Sequence, residues 1–359
     1  VIKNKIFLIL LSALIIAPVF FHAPLFSQTA DSLEPDSLQK AFINQALAYV
    51  YIDSFPAAIA CMDSLIILDS RYYPAQVIKA GIIYTEMTDD ERLDNEDYFK
   101  DLIDSAVSGI DEHLDKYPDD KWALFFKGTA LGYFAVWEGQ YGSWFKAVVK
   151  GLKAGKYFSK AVKIDSLFYE AYLGLGNLHY WRSAKLGIIR KLPFISDRRE
   201  QGIRELQLVV DSADFSATAA SIGLAWIYID RKDYKSTVRV TQRLINEGIN
   251  GRQTLWPRAI AEFNRGNAGG SISNYTLIRD GLLRKGNQNY YNLTICGYCL
   301  GVAHYWKKDY QTARQYFEEI LSYKMSPDLT KRASKKLKRA ENYLKKIDEK
   351  LESLKKDGT

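Results

Sequence analysis

Cysteine, histidine and proline are scarce in this chain of 359 residues, at three, four and nine respectively. So few cysteines cannot form a disulfide scaffold, and no Cys/His cluster has the spacing of a zinc site. The sequence contains no H-E-x-x-H, G-x-x-x-x-G-K-[ST] or G-x-S-x-G. It therefore lacks the usual signs of a zinc protease, a P-loop nucleotide site and a serine-hydrolase elbow. The acidic run Asp89 to Asp97 has neither the spacing nor the terminal Glu of an EF-hand, and it reads as a solvated loop. No cofactor and no metal site are expected, and the chain is not expected to be an enzyme. Sparse proline leaves long stretches free to run as helix.

The first thirty residues stand apart. Lys3 and Lys5 precede an apolar stretch from Ile6 to Phe21, with small residues near 27 and 30 where a peptidase could cut. Residues 1–30 are read as a secretory signal peptide cleaved near 27 or 30, and the alternative is an uncleaved membrane anchor. Nothing after residue 30 is long and apolar enough to span a bilayer, which needs about 20 residues. Export to the periplasm or cell envelope is the expectation.

Charge of one sign is missing from whole segments. Residues 31–115 hold 18 acidic and 5 basic side chains, residues 146–204 hold 4 and 13, and residues 331–356 hold 4 and 11. The basic balance would suit nucleic acid, but export argues against that partner. Attraction between the acidic 31–115 and basic 146–204 segments across a curved molecule, or solvated helix faces, is the expected use of this charge.

What is present is repetition. Glu170-Ala-Tyr-Leu-Gly-Leu-Gly-Asn-Leu-His-Tyr-Trp181 follows a unit carrying Ala154, Phe158 and Ala161. A second match runs from Cys299-Leu-Gly301 through Asp309-Tyr310 and Ala313 to Phe317. Small residues recur at Ala46, Ala80, Gly128, Gly176, Ala225, Ala259 and Gly301, where two antiparallel helices would cross. The second small position of each unit lies 12 residues on in four units. It lies 26 residues on in Ala80/Ala106, Gly128/Ala154 and Gly176/Gly202. Those three units need longer helices, by about two turns each, or inter-helix loops at Asp89–Asn95 and Leu192–Asp197.

These residues resemble the tetratricopeptide repeat (TPR), in particular exported bacterial TPR proteins. Residues 118–210 are weakly similar to the inclusion-body-clearance TPR family. The fold expected is all-α: a solenoid of about seven antiparallel helix pairs over 31–330, three of them lengthened, closed by a basic capping helix over 331–359. One such pair cannot bury its own apolar face, so the units must stack. The resemblance implies a non-catalytic scaffold that binds a protein or peptide partner in a concave groove. It places Trp122, Phe125, Tyr133, Leu173, Asn177, Tyr180, Trp181, Trp226, Trp256, Phe263, Tyr298, Tyr305 and Trp306 at the groove positions. In the adjacent pairs Tyr180-Trp181 and Tyr305-Trp306, one ring of each pair should face the groove. The basic 331–356 helix offers an alternative peripheral contact with a membrane.

Cys296-Gly-Tyr-Cys299 is the one pattern with a known chemistry, that of dithiol redox proteins. Those sites follow a strand, whereas here the cysteines fall inside a repeat helix. A packed thiol pair or a structural disulfide is expected, with a thiol–disulfide redox protein as the alternative function. Cys61 is expected to be a free thiol. His179 and His304 share one repeat position and are expected to be packing residues.

Overall fold

The computed structural model describes residues 32–185, 197–286 and 288–357. The segment read as a signal peptide lies outside them, as does most of Leu192–Asp197. Fifteen helices and no strand occur among the described residues. In chain order they are α1 (Ser37–Val50), α2 (Phe55–Leu68), α3 (Tyr73–Asp90), α4 (Glu96–Lys116), α5 (Lys121–Tyr141), α6 (Trp144–Ile164), α7 (Glu170–Lys185) and α8 (Arg199–Ser212). They continue with α9 (Ala217–Asp230), α10 (Tyr234–Asn246), α11 (Arg252–Asn264), α12 (Ala268–Lys285), α13 (Tyr290–Trp306), α14 (Tyr310–Ser322) and α15 (Pro327–Asp357). Consecutive helices pair as α1/α2 through α13/α14, and α15 packs on α13 and α14. Seven antiparallel pairs and a terminal helix are the architecture that the repeat spacing predicts.

Small residues explain why each pair closes. All seven first-helix positions from Ala46 to Gly301 are buried. A Cβ on Gly301 would stand 2.6 Å from the Phe317 ring, and one on Gly128 would stand 2.7 Å from the Phe158 ring. At Gly176/Gly202 the obstacle is backbone: a Cβ on Gly202 would lie 2.5 Å from the Gly176 carbonyl oxygen and 2.8 Å from the Tyr180 amide nitrogen. No side-chain rotation relieves that contact, so glycine is required there.

The Asp-Tyr turns also have a physical reading. Asp233 and Asp309 cap α10 and α14 by accepting from the Ser236 and Thr312 amides, and Asn267 caps α12 through Gly270. The residue before each cap has left-handed backbone: Lys232 at φ 58°, Gly266 at 73° and Lys308 at 61°. Side-chain residues tolerate this conformation at a cost of about 1 kcal/mol, which the cap and the helix pair together offset.

In the second and third pairs extra length is carried mainly by helix, whereas in the fourth α7 and α8 have 16 and 14 residues and most of the insertion lies outside the described residues. α5 and α6 are each 21 residues long, as are the 21 residues of α4, and α3 has 18. The Asp89–Asn95 loop expected from sequence is shorter than that, because Asp89 and Asp90 finish α3 and the loop starts at the left-handed Glu91. The last helix starts at Pro327, before 331, and buries Ala333, Ala340 and Ile347 against the α13/α14 surface, with Leu337, Tyr343, Leu344 and Leu351 beside them. Its apolar stripe is thereby covered, as a cap requires.

The array curls until its two ends meet. Arg252, at the start of α11, is 5% exposed and donates through Nε to both Asp89 oxygens at 2.9 Å, while its Nη1 lies 3.2 Å from Asp53. Its backbone amide reaches the Asp53 carboxylate at 3.0 Å, and the Gly251 amide donates to the Tyr51 carbonyl at 2.8 Å. Lys285 pairs with Asp90 at 2.7 Å, Asn289 and Asn292 donate to the Asp89 carbonyl, and Arg332 pairs with Glu91 at 2.9 Å. This clasp gives the acidic first third partners other than the expected ones. Across the array it is met by Arg252, Lys285 and Arg332, all outside the basic 146–204 segment.

Candidate partner-binding surface

The sequence-derived groove residues divide into two groups. Trp122, Phe125, Tyr180 and Tyr298 are buried. Trp122 lies in a nest of four rings, Phe125, Phe126, Phe168 and Phe215, with centroids 4.7 to 6.1 Å away. Phe215 comes from the α8–α9 turn, so the curl of the array fills the inside of its first half. Tyr180 is fully buried and its hydroxyl donates to Asp230 at 2.8 Å. These rings are core and present no free face.

The second group is open. Trp181, Trp256, Phe263 and Tyr305 are half-buried, and Trp226 and Trp306 are 37% and 41% exposed. Trp256 and Phe263 flank Tyr275 of α12 at 6.2 and 6.3 Å, and Phe263 meets Trp306 in a tilted contact at 4.9 Å. The result is an aromatic strip across α11 and α13 ending on the exposed Trp306 edge. Tyr305 turns the other way, onto Tyr310 and the Tyr343 ring of the cap at 5.4 and 5.1 Å. In each adjacent pair, then, one ring packs inward (Tyr180, Tyr305) while its neighbour is more open (Trp181, Trp306).

A cleft of about 820 Å³ lies beside the clasp, lined by α10, α11, α12 and Ile52-Asp53. Its lining mixes polar groups such as Arg258, Glu262 and Asn274 with the apolar Ile245, Leu255 and Leu277. Arg258 is tied to Glu262 at 3.2 Å and donates to the Val238 carbonyl at 2.9 Å. Neither the cleft nor the clasp was visible in the repeat pattern, because both join residues about 200 positions apart.

Cys296 and Cys299 are free, buried thiols on α13, and the structural disulfide considered from sequence is not formed. Burial raises the Cys296 thiol well above its ordinary value and pushes Cys299 up to about 11. Cys299 also exchanges a hydrogen bond with the Tyr275 hydroxyl beneath the aromatic strip. Thiolates are scarce at neutral pH in such a site, whereas dithiol redox proteins depend on a lowered thiol pKa. Iodoacetamide at pH 8 is expected to label neither residue until denaturant unfolds the chain; rapid labelling of one native thiol would instead indicate redox function. Cys61 is free and half-buried.

The repeat histidines are polar pairs as well as packing groups. His179 Nδ1 lies 2.7 Å from Glu205 and His304 Nδ1 lies 2.9 Å from Asp309. Among the described residues no group of three or more His, Cys, Asp or Glu is placed to hold a metal ion. No described helix is long and apolar enough to cross a membrane.

Paired helices crossing at small residues, stacked in series and closed by a terminal helix, make this chain a TPR-type α-solenoid. No protein-family model and no curated protein matches the sequence. Among solved structures it is similar to a tetratricopeptide repeat protein from Parabacteroides merdae, at 12% identity over 85% of this chain and 99% of that one, with a TM-score of 0.39. It is also similar to human IFIT1, solved as a dimer with PPP-AAAA, at 13% identity over 75% of this chain and 68% of that one, with a TM-score of 0.35.

Proposed function

We propose that the chain is a non-catalytic, exported scaffold of the cell envelope that binds a protein or peptide partner on the strip formed by Trp256, Phe263 and Trp306, with Trp181 and Trp226 on the preceding inner helices. The observation that carries this reading is the half-open, tilted contact of Phe263 with Trp306, an apolar surface held in place by neighbouring repeats. Rings fixed this way lose little entropy on binding, and binding hot spots are enriched in Trp and Tyr for that reason. Export rests on Lys3, Lys5 and the apolar stretch Ile6 to Phe21.

The test is capture from envelope extract with wild type and the Phe263→Ala/Trp306→Ala variant side by side. A captured protein should fall at least about tenfold in the variant, because truncating a hot-spot ring typically costs about 2 kcal/mol or more of binding. Melting should drop only modestly, since Trp306 already has one open face. Equal capture by both chains would remove the strip as the binding surface.

A further inference from the structure

The long third pair carries a second surface that partner binding through the aromatic strip leaves unused. At the start of α6, Trp144 is 73% and Phe145 66% exposed, and Val148, Val149 and Leu152 are exposed with them. At 100° per residue these five positions span one face of about 140°, opposite the side on which Ala154, Phe158 and Ala161 enter the core. Val136 on the adjoining end of α5 is exposed as well. An apolar face left exposed in this way is unusual on a folded monomer.

Its chemistry selects the occupant. α6 contains Lys146, Lys150, Lys153, Lys156, Lys160 and Lys163 and no Asp or Glu. Lys146 and Lys153 border one side of the apolar face, and the later lysines continue along the helix. An aromatic and aliphatic face bordered by lysines, with Lys146 also 3.9 Å from the buried Glu138 of α5, is the pattern of helices that lie in the interface of an anionic bilayer. The acidic 31–115 segment of a second copy is a poorer match. Many of its carboxylates are already engaged: Asp53, Asp89, Asp90 and Glu91 in the clasp, Asp63 with Lys79, and Asp111 with Lys127. The C-terminal helix α15 is equally basic but has its apolar stripe covered by α13 and α14.

We propose that the α5–α6 tip docks on the surface of an anionic bilayer, seating Trp144 and Phe145 in the headgroup–acyl boundary with the α6 lysines over the phosphates. The solenoid is held at the surface through this tip, and its aromatic strip on α11 and α13, five to seven helices further along the chain, stays available. The lipid contact stands independently of that strip.

Full-length chain is incubated with phosphatidylcholine vesicles, with and without phosphatidylglycerol, and amide exchange is followed over residues 142–153 alongside co-sedimentation. Exchange at 144–152 should slow only with phosphatidylglycerol present. Trp144→Ala/Phe145→Ala should weaken that sedimentation by about tenfold, and Lys146→Gln or Lys153→Gln by about fivefold each. Melting of every variant should match wild type, since the replaced side chains are exposed. Sedimentation that is equal in wild type and variants, with no slowing at 144–152, would overturn the proposal and assign lipid binding to another segment. Slowing that grows with protein concentration in the absence of vesicles would overturn it in favour of a second copy, and absence of any sedimentation would overturn it outright.

Discussion

Arg252→Ala is expected to lower the unfolding free energy by about 3–5 kcal/mol, the range for removing one partner of a buried ion pair. The loss is larger than the arginine's own contribution, because Asp53 and Asp89 remain in place with their carboxylates largely shielded from water. Burial already raises the Asp53 carboxyl above its ordinary 3.8 even with Arg252 beside it. Without the guanidinium that rise must grow. A carboxyl whose pKa is higher folded than unfolded favours the fold when protonated. The variant's deficit should therefore be largest near neutral pH and shrink as pH falls toward the unfolded value. Adding Asp53→Asn and Asp89→Asn should restore part of the stability, since the unpaired charges are then gone. Chemical denaturation of the single and triple variants at neutral and mildly acidic pH measures all of this. A single variant as stable as wild type would mean that the clasp is not closed in solution. Scattering should show the expected opening, because the clasp joins residues about 200 positions apart.

The pairwise architecture was legible because its causes are local. Small residues at the crossings, an Asp-Tyr turn that caps the second helix, and a terminal helix with a 3.6-residue apolar stripe each act within about 40 residues. The clasp was not legible, because whether residue 53 meets residue 252 depends on small rotations summed over several repeats, and no single repeat encodes that sum. The same curl decided the fate of the groove residues. Position in the repeat assigns Trp122 and Trp306 the same inward aspect, yet only Trp122 is covered, by Phe215 from a turn two pairs further on. Asp89 and Asp90 were read as loop because aspartate is a poor helix residue. Tertiary pairing with Arg252 and Lys285 outweighs that preference, and the helix runs on through both. Exposure of the α6 face followed a different logic. Trp144, Phe145, Val148 and Val149 are apolar residues of the kind usually buried, and only the structure shows them exposed.

Trp122→Ala is the sharpest test of whether the first half of the array is filled as described. The indole sits against Phe125 and Phe126 of its own helix, Phe168 before α7, and Phe215 before α9. Deleting it removes a large buried ring and leaves a cavity that rings held by one helix and two separate turns cannot all collapse into, so the expected loss is about 3–5 kcal/mol. Trp122→Phe should cost less, because much of the contact with Phe168 at 4.7 Å survives. The indole nitrogen adds no penalty of its own, since it has no hydrogen-bond partner in the structure. If the position formed part of an open groove instead, both substitutions would leave melting almost unchanged and would act on partner capture alone. Thermal and denaturant unfolding of Trp122→Ala and Trp122→Phe beside Trp306→Ala separates the two arrangements. A ranking in which Trp122→Ala is by far the least stable places Trp122 in the core, and three near-equal midpoints would mean that Phe215 does not reach the Trp122 ring.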